Sequence, residues 1–248
     1  MKKRASQPAG PFAVPYWEAT REPLYCLLFL FPLVVIYELG ALLLRPEAWP
    51  EQRLVAQRLI QQLAAWFGTD AVWVPGVALL VTLLIWHFSN RKPWRVRGRV
   101  PLLMIFESLA LTLPLFVLGK LAQPTSGGGP GAASVESLRV QVVLALGAGV
   151  YEELVFRFYL ISGLRRLLTG ACHVPKQVAT LAALVAAALL FAACHLQPIG
   201  SETFAWPLFL MLTAAGGYLS IIFVLRGLGV STGCHAAFNL ISLALSTG

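Results

Sequence analysis

The chain has 248 residues, of which 58% are hydrophobic and only 12% are charged, and its mean hydropathy is +0.74. An ordinary soluble domain carries about twice that share of charged residues, so the composition excludes a soluble protein and predicts a polytopic membrane protein. The net charge of +8 comes from residues clustered in short loops beside apolar runs. This pattern is typical of contact with anionic lipid headgroups, so we expect no nucleic-acid partner.

The first apolar run begins near Pro23 and follows a positively charged start, Met-Lys-Lys-Arg. The run spans roughly 20 residues and lacks a small-residue cleavage site, so it predicts an uncleaved first membrane helix rather than a signal peptide. The four cysteines include no Cys-x-x-Cys pair, and we expect reduced thiols.

Seven apolar stretches are each long enough for a membrane-spanning helix. They cover about residues 24–44, 71–89, 101–121, 138–162, 177–196, 204–225 and 229–247. Residues 51–67 instead gather apolar side chains toward one helical face, which predicts an interfacial amphipathic helix. Residues 124–131, Pro-Thr-Ser-Gly-Gly-Gly-Pro-Gly, predict a flexible connector. The predicted fold is an all-α polytopic bundle of about seven transmembrane helices plus one interfacial helix, in a single domain at 1–248.

Positive residues are concentrated before the first predicted span and in alternate loops. They comprise Lys2, Lys3, Arg4, Arg21, Arg91, Lys92, Arg95, Arg97, Arg99, Arg165, Arg166, Lys176 and Arg226. The positive-inside rule then places the N-terminus in the cytoplasm and the C-terminus outside. Short loops and the lack of a soluble domain suggest a prokaryotic plasma membrane.

Three charged residues, Glu152, Glu153 and Arg157, lie within the predicted span 138–162. An ionisable group in a bilayer is costly unless it is paired or lines a wet cavity. On a helix, Glu153 and Arg157 are four residues apart and can pair, whereas Glu152 points about 100° away. We therefore predict a structural pair and a second carboxylate that faces another helix or water. A desolvated carboxylate suits a general base.

Two later spans carry polar residues at helical spacing. His195 follows Phe191 by four residues, and Asn239 follows His235 by four, so each pair shares a helical face. A carboxylate and an imidazole can orient and deprotonate water, while a second imidazole and an amide can donate hydrogen bonds to an oxyanion. This set of groups predicts amide hydrolysis without a covalent intermediate.

The three ordered patterns, E-E-x-x-x-R from Glu152, F-x-x-x-H from Phe191 and H-x-x-x-N from His235, resemble the motifs of the CPBP family. These are the CAAX prenyl proteases and bacteriocin-processing enzymes, also called the Abi family, which are multi-pass glutamic intramembrane endopeptidases. The motif-bearing core covers about 138–247. Phe158 stands where family members often have glycine, which puts substrate shape in doubt more than chemistry.

The resemblance implies a role for each matching residue. Glu152 and His195 would activate water, without metal or cofactor, while His235 and Asn239 would support the oxyanion. Glu153 and Arg157 would hold the site in shape. The substrate would be a membrane-associated peptide or protein. The sequence does not identify it, say whether it is prenylated, or fix the oligomeric state.

Other functions stay open. His195, His235 and Glu152 could form a His₂Glu zinc site, although the usual zinc spacings are absent. The chain could also be a scaffold that keeps the fold and binds a partner. A proton-coupled transporter could use ionisable groups in the spans as a relay, although no inverted repeat is visible. The residues of this proton relay would be Glu38, His87, Glu107 and Glu152.

Two features concern the packing around the site. Gly147, Gly149, Gly216 and Gly217 are expected to permit close approach of helices. Counting along the predicted spans, however, places Glu152, His195 and His235 at different depths, and the predicted site requires them to converge.

Overall fold

The computed structural model describes residues 14–44, 74–91, 93–122, 135–195 and 206–247. Every regular element in these ranges is helical, as predicted, and they contain no strand. The elements are α1 (Tyr16–Ala19), α2 (Pro23–Leu43), α3 (Val74–Ser89), α4 (Arg99–Leu111), α5 (Leu113–Ala122), α6 (Val135–Gly147), a π-helical segment (Ala148–Ile161), α7 (Ser162–Gly170), α8 (Lys176–His195), α9 (Trp206–Arg226) and α10 (Leu228–Thr247).

Five helical stretches are long and apolar enough to cross a membrane. They are Pro23–Leu43, Arg99–Lys120, Lys176–His195, Trp206–Arg226 and Leu228–Ser246. These stretches confirm five of the seven predicted spans and an integral membrane protein. The predicted interfacial helix at 51–67 and the connector at 124–131 lie outside the described residues.

The count of seven spans is not confirmed, because the other two predicted spans are not described as single long α-helices. The described part of α3 has 16 residues, which corresponds to about 24 Å, and residues 71–73 of that predicted span lie outside the described residues. The stretch predicted at 138–162 is not one uniform α-helix. Gly147 and Ser162, at the two ends of the π segment, both keep helical backbone angles, so α6, the π segment and α7 form one continuous helical run.

This continuous run explains how residues predicted at different depths come together. The run does not end near 162 but continues through α7 to Gly170, and α8 then returns against α7 and the π segment. Glu152 lies 18 residues before the end of α7, and His195 lies 19 residues after the start of α8. The hairpin therefore brings both residues to the same level.

Two of the four predicted glycines lie at close helix contacts. A Cβ on Gly149 would lie 2.7 Å from the Cβ of Ala236, and one on Gly216 would lie 3.1 Å from the Phe191 ring. These distances confirm that the π segment, α8, α9 and α10 approach closely at those positions. At Gly217 the nearest atom would be 3.9 Å away, which is ordinary contact. The expectation was therefore wrong for Gly217, and for Gly147 it stays a prediction.

Glu38 and Glu107, which the sequence left without a role, both have side-chain partners. The Tyr151 hydroxyl donates to Glu38, and this bond ties α2 to the π segment. Glu107 pairs with Arg226 and accepts a hydrogen bond from the Tyr16 hydroxyl at 2.6 Å. Burial and the neighbouring Glu107 raise the pKa of Tyr16, so its phenol stays a donor. These contacts favour structural roles over the relay hypothesis.

Candidate active site

The π segment places two adjacent carboxylates inside the bundle. Glu152 is 3% exposed and Glu153 is fully buried. A π-helix is rare beyond a single turn and is frequently found at functional sites. Because Gly149 lets the backbone of this segment lie against Ala236, the side chains that follow on the segment reach α10 directly.

Glu153 and Arg157 form the predicted pair. Arg157 Nη1 lies 3.2 Å from Glu153 Oε1, and both side chains are fully buried. Arg157 Nη2 also donates to the backbone carbonyl of Gly216 at 3.3 Å, and its guanidinium carbon lies 4.5 Å from the centre of the Phe191 ring. The guanidinium therefore joins the π segment to α8 and α9.

Glu152 faces two imidazoles from different helices. Its Oε2 lies 3.4 Å from Nε2 of His195 and 3.9 Å from Nε2 of His235. The separations exceed the usual 2.7–3.2 Å of a direct hydrogen bond. The carboxylate is therefore close enough to share a small polar molecule with either ring.

His195 is the more accessible imidazole, with 26% of its side chain exposed. It ends α8, and its Nδ1 lies 2.7 Å from the backbone carbonyl of Phe191. A carbonyl only accepts hydrogen bonds, so Nδ1 must carry the hydrogen. In the neutral ring, Nε2 then presents a lone pair toward Glu152.

His235 is held from the opposite side by the second carboxylate. Its Nδ1 lies 3.0 Å from Oε1 of Glu153, and its side chain is 8% exposed. Glu153 therefore contacts both Arg157 and His235. The sequence missed this second contact because it pairs residues 82 positions apart, and helical spacing predicts neighbours on one helix only.

Asn239 lies on the same helix as His235, but its amide also contacts a neighbouring helix. Its Nδ2 donates to the backbone carbonyl of Ala145, on α6, at 3.3 Å. This bond uses one of the two amide hydrogens and leaves the other for a further acceptor. The amide thus links α10 to α6 and keeps one N–H group that can donate to another acceptor.

Phe191 lies at the centre of these groups. Its ring centre is 4.3 Å from that of His195 and 6.0 Å from that of His235, and Arg157 lies over its face. The ring fills the apolar space between the charged pair and the two imidazoles. Six of the seven residues predicted for the site are therefore brought together, while Asn239 follows His235 by four residues on α10 and its amide contacts Ala145.

In the part of the chain that the structure describes, no group of three or more His, Cys, Asp or Glu side chains is arranged to hold a metal ion. The zinc hypothesis for Glu152, His195 and His235 therefore gains no support from the arrangement of these side chains.

Residues 134–241 match the model of the family described as "Type II CAAX prenyl endopeptidase Rce1-like". The match includes every residue of the site and confirms the family resemblance that the three motifs predicted. It covers less than half of the chain. No curated protein and no solved structure matches the chain significantly.

Proposed function

We propose that this chain, which carries an Rce1-like type II CAAX prenyl endopeptidase domain at residues 134–241, hydrolyses a peptide bond of a membrane-associated protein or peptide without metal. The water would be activated by Glu152 and His195. The observation that carries the proposal is the position of the Glu152 carboxylate, 3.4 Å from His195 Nε2 and 3.9 Å from His235 Nε2.

The tautomer of His195 supports this role. With Nδ1–H committed to the Phe191 carbonyl, a neutral ring turns an acceptor toward Glu152, which as a carboxylate is also an acceptor. A water molecule that donates a hydrogen to Glu152 beside His195 would keep an oxygen lone pair for attack on a substrate carbonyl, as general-base catalysis requires.

The proposed reaction conserves atoms and charge. The water oxygen bonds to the carbonyl carbon as its proton passes to Glu152, and the carbonyl electron pair moves onto oxygen. Collapse of this tetrahedral intermediate re-forms the carbonyl and breaks the C–N bond, and Glu152 returns the proton to the leaving amine. Neither a covalent enzyme intermediate nor a cofactor is needed.

The oxyanion would be stabilised by His235 and Asn239. Because Nδ1 of His235 already donates to Glu153, His235 can donate through Nε2 only as an imidazolium. Asn239 would offer its second amide hydrogen. Glu153 and Arg157 act as positioning residues, because they hold the His235 ring without contacting the substrate.

The partial exposure of His195 provides the side from which water and substrate reach the site. We further propose that the whole chain, 1–248, is one membrane domain of a prokaryotic plasma membrane. Its N-terminus would be cytoplasmic and its C-terminus outside, as the loop charges predict.

The experiment compares peptide N-termini in membranes from cells that express the wild type, Glu152→Gln or the control Glu18→Gln at matched levels. Glu18 is an exposed carboxylate of α1, far from the site in sequence. We expect termini that appear with the wild type and the control but are absent with Glu152→Gln. Identical termini in all three strains, with folded protein and native partners present, would favour the scaffold hypothesis.

A further inference from the structure

A large groove lies beside the C-terminal end of the π segment, beyond the residues of the candidate active site. It has a volume of about 690 Å³, within the range typical of small-ligand pockets. Its walls come from the end of α3, the junction of the π segment with α7, and the turn between α9 and α10. None of the seven predicted site residues lines it.

One end of the groove is positively charged. Arg165 and Arg166, adjacent on α7, line it with Arg21, and all three side chains are exposed. No carboxylate among the described residues forms an ion pair with Arg165 or Arg166. Arg21 also lines a smaller cavity with Glu18 and Glu22, so its charge is partly balanced. Among the described residues, the positive charge without an ion-pair partner is therefore that of Arg165 and Arg166 on α7.

The rest of the groove is largely apolar and aromatic. Trp86 of α3 packs against Phe158 of the π segment with ring centres 5.3 Å apart, and Phe223 and Leu228 complete the wall. A hydroxyl pair, Thr82 with Tyr159 at 2.6 Å, joins α3 to the π segment. These two hydroxyls bind each other, and the other hydroxyl side chains that line the groove are Ser89 and Ser162.

We propose that this groove binds one phospholipid with an anionic headgroup. Its phosphate would contact Arg165 and Arg166, and an acyl chain would lie along Trp86 and Phe158. Basic pockets between membrane helices are suited to anionic headgroups. A soluble anion would leave the aromatic wall unused, and a zwitterionic lipid would leave the two guanidinium groups without a net negative partner.

The test uses quenching of tryptophan fluorescence by brominated acyl chains, which requires contact. The protein is reconstituted in phosphatidylcholine vesicles that contain increasing mole fractions of brominated phosphatidylglycerol or brominated phosphatidylcholine. The signal of Trp86 is isolated by subtracting that of Trp86→Phe, since the chain has seven tryptophans. We expect half-quenching of Trp86 at a roughly 25-fold lower fraction of phosphatidylglycerol than of phosphatidylcholine, about fivefold for each of two guanidinium groups.

Two double variants distinguish binding at this groove from a general effect of positive surface charge on lipid binding. Arg165→Gln/Arg166→Gln should lose the preference, by about fivefold for each guanidinium. The matched control Arg99→Gln/Arg139→Gln removes two exposed arginines that do not line the groove, and it should keep the preference.

Equal quenching by the two lipids would overturn the proposal, and so would an equal loss of preference in both double variants. Release of the brominated lipid by inorganic phosphate at constant ionic strength would assign the site to a soluble anion instead. If Trp86→Phe is not recovered folded, the melting temperature replaces the quenching signal. It is measured for each arginine variant in phosphatidylglycerol and in phosphatidylcholine, and the rise in the first lipid over the second is compared. The wild type and the control should show this rise, and its absence in both would refute the lipid site.

Discussion

Replacement of Arg157 by methionine tests how the site is held together. The side chain is fully buried, and its Nη1 lies 3.2 Å from a carboxylate oxygen of Glu153 that is fully buried as well. Methionine retains much of the length and apolar contact of the arginine stem but removes the charge. In Arg157→Met, Glu153 keeps His235 as its neighbour but loses the guanidinium that lies 3.2 Å from its carboxylate.

Removal of one partner of a buried ion pair typically costs about 3–5 kcal/mol. For a chain of this size, each kcal/mol lowers the melting temperature by about 2–4 °C, so we expect a decrease of about 6–20 °C. The double variant Glu153→Gln/Arg157→Met leaves no buried charge at these two positions. It should recover most of the lost stability, because replacing both members of a buried pair is often neutral.

Thermal unfolding in detergent gives the stability, and cleavage of a peptide substrate gives the activity. The double variant should remain poorly active despite its recovered stability, because a neutral amide at 153 accepts a weaker hydrogen bond from His235 than the Glu153 carboxylate does. A double variant no more stable than Arg157→Met would refute the argument that an uncompensated carboxylate causes the loss. Full activity of the double variant would refute the positioning role of Glu153.

Three further predictions concern packing, metal and the oxyanion. Gly149→Ala should destabilise the protein by about 1–3 kcal/mol in thermal unfolding, because its Cβ would overlap Ala236. The control Gly163→Ala, whose Cβ would meet nothing within 4 Å, should not destabilise it. Equal effects of the two substitutions would contradict this packing argument. Activity in reconstituted vesicles should survive 1,10-phenanthroline that inactivates a zinc protease added to the same assay, whereas inhibition reversed by zinc would establish the zinc hypothesis. Asn239→Ala should lower kcat by about 10²–10³-fold with a stability loss of only about 1 kcal/mol; unchanged kcat would limit the amide to its contact with Ala145.

Much of the fold followed from the sequence because membrane spans are a local property. About 20 apolar residues predict a spanning helix whatever lies around them, and five spans are confirmed in this way. The predicted span at 138–162 was less accurate at its end. Residues 162–170 contain two arginines, which lower the local hydropathy and so predict the end of the membrane span. The backbone nevertheless stays helical through Gly170. This difference of two turns had produced the apparent mismatch in depth between Glu152 and His195.

The site was predictable where its chemistry lies on one helix. The spacing of Glu153 and Arg157 predicts their pairing, and the structure places them 3.2 Å apart. The contacts of Glu153 with His235, of Asn239 with Ala145 and of Tyr151 with Glu38 join different helices. No periodicity encodes them, because they depend on how the helices rotate and approach after they form.

The adjacent glutamates illustrate how neighbouring positions acquire different tasks in one buried site. Glu153 is fully buried and contacts an arginine and an imidazole, so its charge is compensated and it lacks a route to a substrate. Among the described residues, Glu152 lies within 4 Å of two imidazoles, and one of them, His195, is partly exposed. The proposed roles fit these positions, because Glu153 is fixed between an arginine and an imidazole and Glu152 lies beside the partly exposed His195. An aspartate at 153 should therefore retain more activity than an aspartate at 152, since a shortened positioning group can still reach Arg157 while a shortened base moves away from the water it must deprotonate.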